Sequence, residues 1–100
     1  MGFNRYIASN VTTPTDVVTC PAGTVITVIG ITVANVTGAL TEVNIQAAGI
    51  SLLKGVEIVE GSAIVPVGGE QKIVLVAGDS ITIEADNAVD VYVSVLEQAI

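Results

Sequence analysis

The chain has 100 residues, 51% of them hydrophobic and only 13% charged, with a net charge of −7 and no histidine. One domain is all that this length allows. The acidic balance argues against nucleic-acid or anionic-membrane partners, which need clustered Lys and Arg rather than the scattered Arg5, Lys54 and Lys72.

In chain order, Phe3 to Ala8 is expected as a first strand or an extended arm, with residues 1–14 the outer limit of such an arm. Thr13-Pro14-Thr15-Asp16 breaks it. Val17 to Cys20 is a second strand and Pro21-Ala22-Gly23 a turn. Thr24 to Ala34 is a long strand in which Gly30 marks a bulge or bend. After a loop over Asn35 to Ala39, Thr41 to Ala48 alternates with Val43, Ile45 and Ala47 inward and Glu42, Asn44 and Gln46 outward. Ile50 to Leu53, Val56 to Val59 and Ala63 to Val67 read as shorter strands, separated at Lys54-Gly55 and Glu60-Gly61-Ser62. Lys72 to Val76 leads into the turn Ala77-Gly78-Asp79-Ser80, where Gly78 should take a positive φ and Asp79 should accept main-chain N–H groups. Ile81 to Ala85 returns, Asp86-Asn87-Ala88 turns again, and Val89 to Leu96 closes with Val89, Val91, Val93 and Val95 on one face.

Val, Ile and Thr dominate these runs, and their branched Cβ atoms suit a pleated surface better than a helix. No run carries helical periodicity, and punctuation recurs every eight to twelve residues or so. The expected fold is all-β: an antiparallel, jelly-roll-like β-sandwich of about eight strands in one domain, residues 1–100. Val17 to Thr41 holds no charge, yet its Pro21, Gly23, Gly30, Gly38 and six threonines fit two strands and a turn, not a spanning helix. Met1 to Asn10 carries Arg5 and no apolar stretch of the kind that marks a secretion leader, so synthesis in a cytoplasm is expected.

The chemistry-bearing residues are few. Absent histidine removes the commonest general base and metal ligand, and no glycine-rich phosphate loop occurs. A carboxylate pair working on sugars would want an aromatic-lined cleft, and the aromatics are Phe3, Tyr6 and Tyr92 alone. No enzyme activity and no cofactor are expected. The acidic group Asp79, Glu84, Asp86 and Asp90 admits calcium held by loop carboxylates, although the preference of Asp for turns accounts for it more simply. The single cysteine, Cys20, lies in an apolar setting and reads as a small buried hydrophobe. Asn10-Val11-Thr12 and Asn35-Val36-Thr37 match the glycosylation acceptor pattern and read as loop residues.

Apolar side chains exceed the usual share, about 45–50% even with glycine counted, and an intersubunit contact is the natural outlet. A homo-oligomer follows, with a trimer the favoured state. Phe3, Arg5 and Tyr6 are the candidate interface residues, since aromatics and Arg are enriched at interface hot spots.

The segments Ile73-Val74-Leu75-Val76-Ala77-Gly78-Asp79-Ser80-Ile81-Thr82-Ile83 and Val89 to Glu97 resemble the C-terminal half of small virion proteins of tailed bacteriophages. Pro21-Ala22-Gly23-Thr24 leading into Val28 to Asn35 resembles the same group, so that about two-thirds of the chain is covered. The resemblance implies a capsid decoration (cement) protein that binds the major capsid protein lattice on the virion surface. A tail or head-fibre component and a host-surface or glycan-binding module are the alternatives. It carries no catalytic residues.

Overall fold

Most of the described strands follow from the period-two placement of Val, Ile and Thr between turn residues. The computed structural model describes residues 2–68 and 72–100. Among them are nine strands and no helix: β1 (Gly2–Val11), β2 (Thr15–Thr19), β3 (Thr24–Asn35), β4 (Thr41–Ala47), β5 (Ile50–Ile58), β6 (Ala63–Val67), β7 (Ile73–Leu75), β8 (Ser80–Ala85) and β9 (Val89–Ala99).

They form two antiparallel sheets. Sheet A runs β1-β9-β3-β6, with β7 also on β3, and sheet B runs β2-β8-β4-β5. β6 pairs the later half of β3 through Val33↔Ile64, and β7 pairs the earlier half through Thr27↔Val74. They are two halves of one interrupted strand. Counted so, the chain is a single long hairpin, β1 with β9, β2 with β8, β3 with β6 and β7, and β4 with β5, wound into a jelly roll. The hairpin tip is Ala48-Gly49, whose φ values of 52° and 78° suit a two-residue turn with both centres left-handed.

The core between the sheets is aliphatic apart from Cys20. Ile26, Ile31, Ile45, Ile58, Leu75, Ile81 and Ile83 are its largest fully buried side chains, and no aromatic joins them. The alternation on β4 and the four inward valines of β9 stand as the sequence pattern requires. In β3 the buried positions switch from Ile26 and Val28 to Ile31 and Val33. The pairing with β9 shifts between Val28 and Gly30, so the bulge resets which residues face inward.

Two expectations are corrected. Lys54-Gly55 does not separate two strands but lies inside the continuous β5, where Gly55 takes φ 67° and its N–H donates to Asn44 Oδ1 at 2.7 Å. Val43 faces Val56 and Ile45 faces Leu53, so Asn44 alone opposes two residues, which is a bulge. Asn10 and Asn35 are strand residues, not loop residues. Asn35 is buried, and its amide donates to the Ala39 and Ile58 carbonyls while its Oδ1 accepts from Thr37 N and Oγ1.

Candidate interaction face

In an antiparallel sandwich one side of each strand is committed to the core, so any recognition must come from the outward residues, the loops or the edges. The two outer faces differ sharply. Sheet B presents Asp16, Glu42, Asn44, Gln46, Thr82 and Glu84. Thr82 Oγ1 donates to Asp16 Oδ1 at 2.7 Å and Asn44 Nδ2 to Glu84 Oε1 at 3.1 Å, while Glu42 stands directly across from Glu57. Across β2, β8 and β4 that face is polar, acidic and internally hydrogen-bonded, while β5 at its edge adds the exposed Ile50 and Leu52.

Sheet A presents two rungs with large apolar side chains and a polar one between them. Phe3, Leu96 and Thr27 lie abreast on β1, β9 and β3; Arg5, Ser94 and Gly30 form the next rung; Ile7, Tyr92 and Thr32 form the third. Val74 extends the first rung from Thr27. Phe3 is 80% exposed, Ile7 63% and Val74 59%, each far from water-averse packing in the isolated chain. Tyr92 lies between two open depressions and lines both. One, of about 340 Å³, is bounded by Ile7, Thr32, Ala34 and Asp90; the other, of about 490 Å³, by Phe3, Arg5, Ile29 and Ser94.

The structure therefore joins Phe3 and Arg5 on one face and turns Tyr6 to the other. Tyr6 packs on the rim of the core, and its hydroxyl donates to Glu97 Oε1, which also accepts from Asn4 Nδ2 at 3.0 Å. The hydrogen bond to the Glu97 carboxylate, with burial and its negative charge, raises the Tyr6 pKa above the ordinary tyrosine value. Ile7 and Tyr92 complete the face without having been singled out. Outward alternation on β9 marks Tyr92, but only the β1–β9 register brings it beside Ile7.

The turn pair lies away from this face, at the end of the sandwich. Gly78 takes φ 88°, its N–H donates to the Cys20 carbonyl, and Asp79 Oδ2 accepts from Val76 N at 3.0 Å. Cys20 is buried, with Sγ 3.1 Å from the Thr24 carbonyl. The four acidic residues do not converge: Asp79 holds its turn, Glu84 bonds Asn44 on sheet B, and Asp90 accepts from Asn10 N on sheet A. Among the described residues no group of three or more His, Cys, Asp or Glu could hold a metal ion.

No family model, curated protein or solved structure matches this chain.

Proposed function

We propose that this chain is a capsid decoration protein of a tailed bacteriophage, seated on the major capsid protein lattice through the outer face of sheet A. The observation that carries this reading is the inequality of the two outer faces, apolar on sheet A and acidic on sheet B. A sandwich that lies on a shell needs one face to bury and one to leave in water, and the resemblance of the turn-and-strand pattern to phage virion proteins supplies the address. Such a protein stabilises a shell by linkage: it binds neighbouring lattice subunits together and not apart, so its binding energy opposes their separation.

Magnitudes favour many weak contacts over one strong one. Burying Phe3, Ile7, Val65, Val74 and Tyr92 would yield roughly 5–10 kcal/mol, after allowance for what is already covered. Association costs on the order of 4–15 kcal/mol. A single copy would bind modestly, and firm attachment calls for linked copies.

Two measurements test the reading. Copy counting by mass spectrometry of virions that encode the chain should give a number comparable to the capsid lattice; a handful of copies would instead mean a tail component, and none would reject a virion role. Add-back of the purified chain to shells lacking it should be weakened at least about tenfold by Tyr92→Glu, one desolvated charge at the centre of the face. Unchanged binding by a folded Tyr92→Glu variant would remove sheet A from the contact.

A further inference from the structure

The two sheets have four outermost positions, and three are protected against pairing with another chain. β2 has five residues, follows Pro14 and is bulged between Asp16 and Val18. β5 is bent by the Gly55 bulge and carries Lys54 and Glu57. On the far side of sheet A, β6 contains Pro66 and stops short of β7. Short length, bulges, proline and charge are the usual means of blunting an edge. β1 is the least protected: its pairing with β9 is regular from Gly2 to Ala8, and its one irregularity, between Ala8 and Val11 with Asn10 at φ 54°, lies at its far end. It runs for ten residues with Arg5 as its one charge, and no strand lies beyond it in sheet A.

The hydrogen-bonding direction along β1 can be deduced. Ile100 N donates to Gly23 O, so the even residues at the end of β9 point their N–H and C=O groups toward β3. Alternation then turns Val91, Val93, Val95 and Glu97 toward β1, where they meet Ala8, Tyr6, Asn4 and Gly2. Phe3, Arg5, Ile7 and Ser9 are left with their backbone groups facing outward. The Arg5 N–H is held meanwhile by its neighbour's Asn4 Oδ1 at 2.8 Å, a local bond that a pairing strand would displace.

We infer that this free edge of β1 pairs antiparallel with β1 of a second copy about a two-fold axis at Ile7, joining the two A sheets into one continuous sheet. With the other edges protected, the only partner edge a second copy can offer is the same one, which makes the contact isologous and closes it at two copies, not three. Charge selects the register. Centred on Ile7, the pairing sets Arg5 opposite Ser9 of the second copy, beside Asp90, whose carboxylate already accepts from Asn10 N. Each Arg5 thus meets one acid of the other copy, and symmetry makes the contact twice. A register centred on Arg5 would stack like charges, and one centred on Tyr6 would set Arg5 against Ile7 with no acid near. In the chosen register Ile7 exchanges both backbone bonds with its own symmetry mate, and Arg5 does so with Ser9.

This inference does not depend on the capsid reading, and its test needs no capsid. Sedimentation of the full chain at high micromolar concentration should give a species of about 20 kDa, twice the 10.1 kDa chain. Ile7→Pro removes an outward N–H without touching the β9 ladder, a replacement that edge strands tolerate, and should give a folded monomer. Should Ile7→Pro fail to fold, Arg5→Glu serves instead, since it faces Asp90 of the second copy with a like charge and should shift the species to monomer. By amide exchange, Ile7 and Ser9 should slow roughly tenfold at ten times the dissociation constant, against a dilute sample. A monomeric wild type, a trimer, or a dimer indifferent to both substitutions would overturn the pairing. Loss of shell binding with an intact dimer would count only against the capsid reading.

Discussion

Asn35 gives the sharpest test of how the loop end of the sandwich is held. It is 3% exposed, and its side chain makes four hydrogen bonds: to the carbonyls of Ala39 (2.7 Å) and Ile58 (3.0 Å), and from the N–H (2.9 Å) and hydroxyl (2.8 Å) of Thr37. Asn35→Ala deletes all four. Thr37 and Ala39 can turn to water, but Ile58 is buried at the end of β5 and its carbonyl loses a donor. One unsatisfied buried acceptor plus the lost net bonds comes to about 2–4 kcal/mol. For a domain of this size that is a melting temperature lower by roughly 10–25 °C. Asn35→Asp keeps the shape but sets a carboxylate oxygen against two carbonyls, and should cost about 3–5 kcal/mol at neutral pH. Burial and those carbonyls raise the folded-state pKa of the introduced carboxyl above the unfolded value of about 3.9. The folded state then binds more protons, so the penalty relative to wild type grows as pH rises through that window and shrinks below it, where a protonated oxygen can again donate. Thermal melts of the three proteins between acid and neutral pH check this. Asn35→Asp melting within a few degrees of wild type at neutral pH, or a penalty independent of pH, would refute the reasoning.

Gly78→Val should cost about 1–3 kcal/mol by strain at φ 88° alone, because nothing lies within 4 Å of the added Cβ. Gly30→Ala is the control: its φ is not positive and the Cβ would meet Val67 O at 3.8 Å and Ser94 Cβ at 4.0 Å, both ordinary contacts, so its melting temperature should fall by far less than that of Gly78→Val. Tyr6→Phe should lose about 1 kcal/mol near neutral pH, discounted for partial exposure of the Glu97 contact. Because the folded-state pKa of Tyr6 is raised, wild type should lose stability as pH climbs past the unfolded tyrosine value, and Tyr6→Phe should lose less there, as denaturant midpoints would show.

The strands were legible because burial on one side of a sheet imposes a strict period of two. Val43, Ile45 and Ala47, and the valines of β9, announce their face without reference to any other segment. Gly55 and Asn35 misled for a shared reason. Glycine after lysine looks like a turn when the asparagine that anchors the bulge is eleven residues upstream, and Asn35 looks like a solvated loop residue when it is a buried clasp on that loop. The candidate face was half legible. Phe3 and Arg5 could be chosen by residue type, but Tyr6 lies one residue from Arg5 and so faces the other side, while Tyr92 joins them only through a register spanning nearly the whole chain.

That long register also puts the free edge and the exposed face on the same sheet. In this winding the first and last strands are neighbours, so β9 is central in sheet A and β1 is left outside it. The inward valines of β9 fix the core, and its outward residues Asp90, Tyr92 and Ser94 become the middle of the exposed face. β1 adds Phe3 and Ile7 to that face and at the same time supplies the least protected edge. Pairing two such edges would place both faces side by side on one sheet, with Arg5 and Asp90 at the seam. Each copy's modest apolar contact would then be tethered to a second, and the second contact would form at the effective concentration set by a rigid sheet and not by bulk solution. Weak single-face binding and firm dimer binding are thus expected together, and Ile7→Pro should weaken attachment to shells by far more than its one lost side chain would suggest.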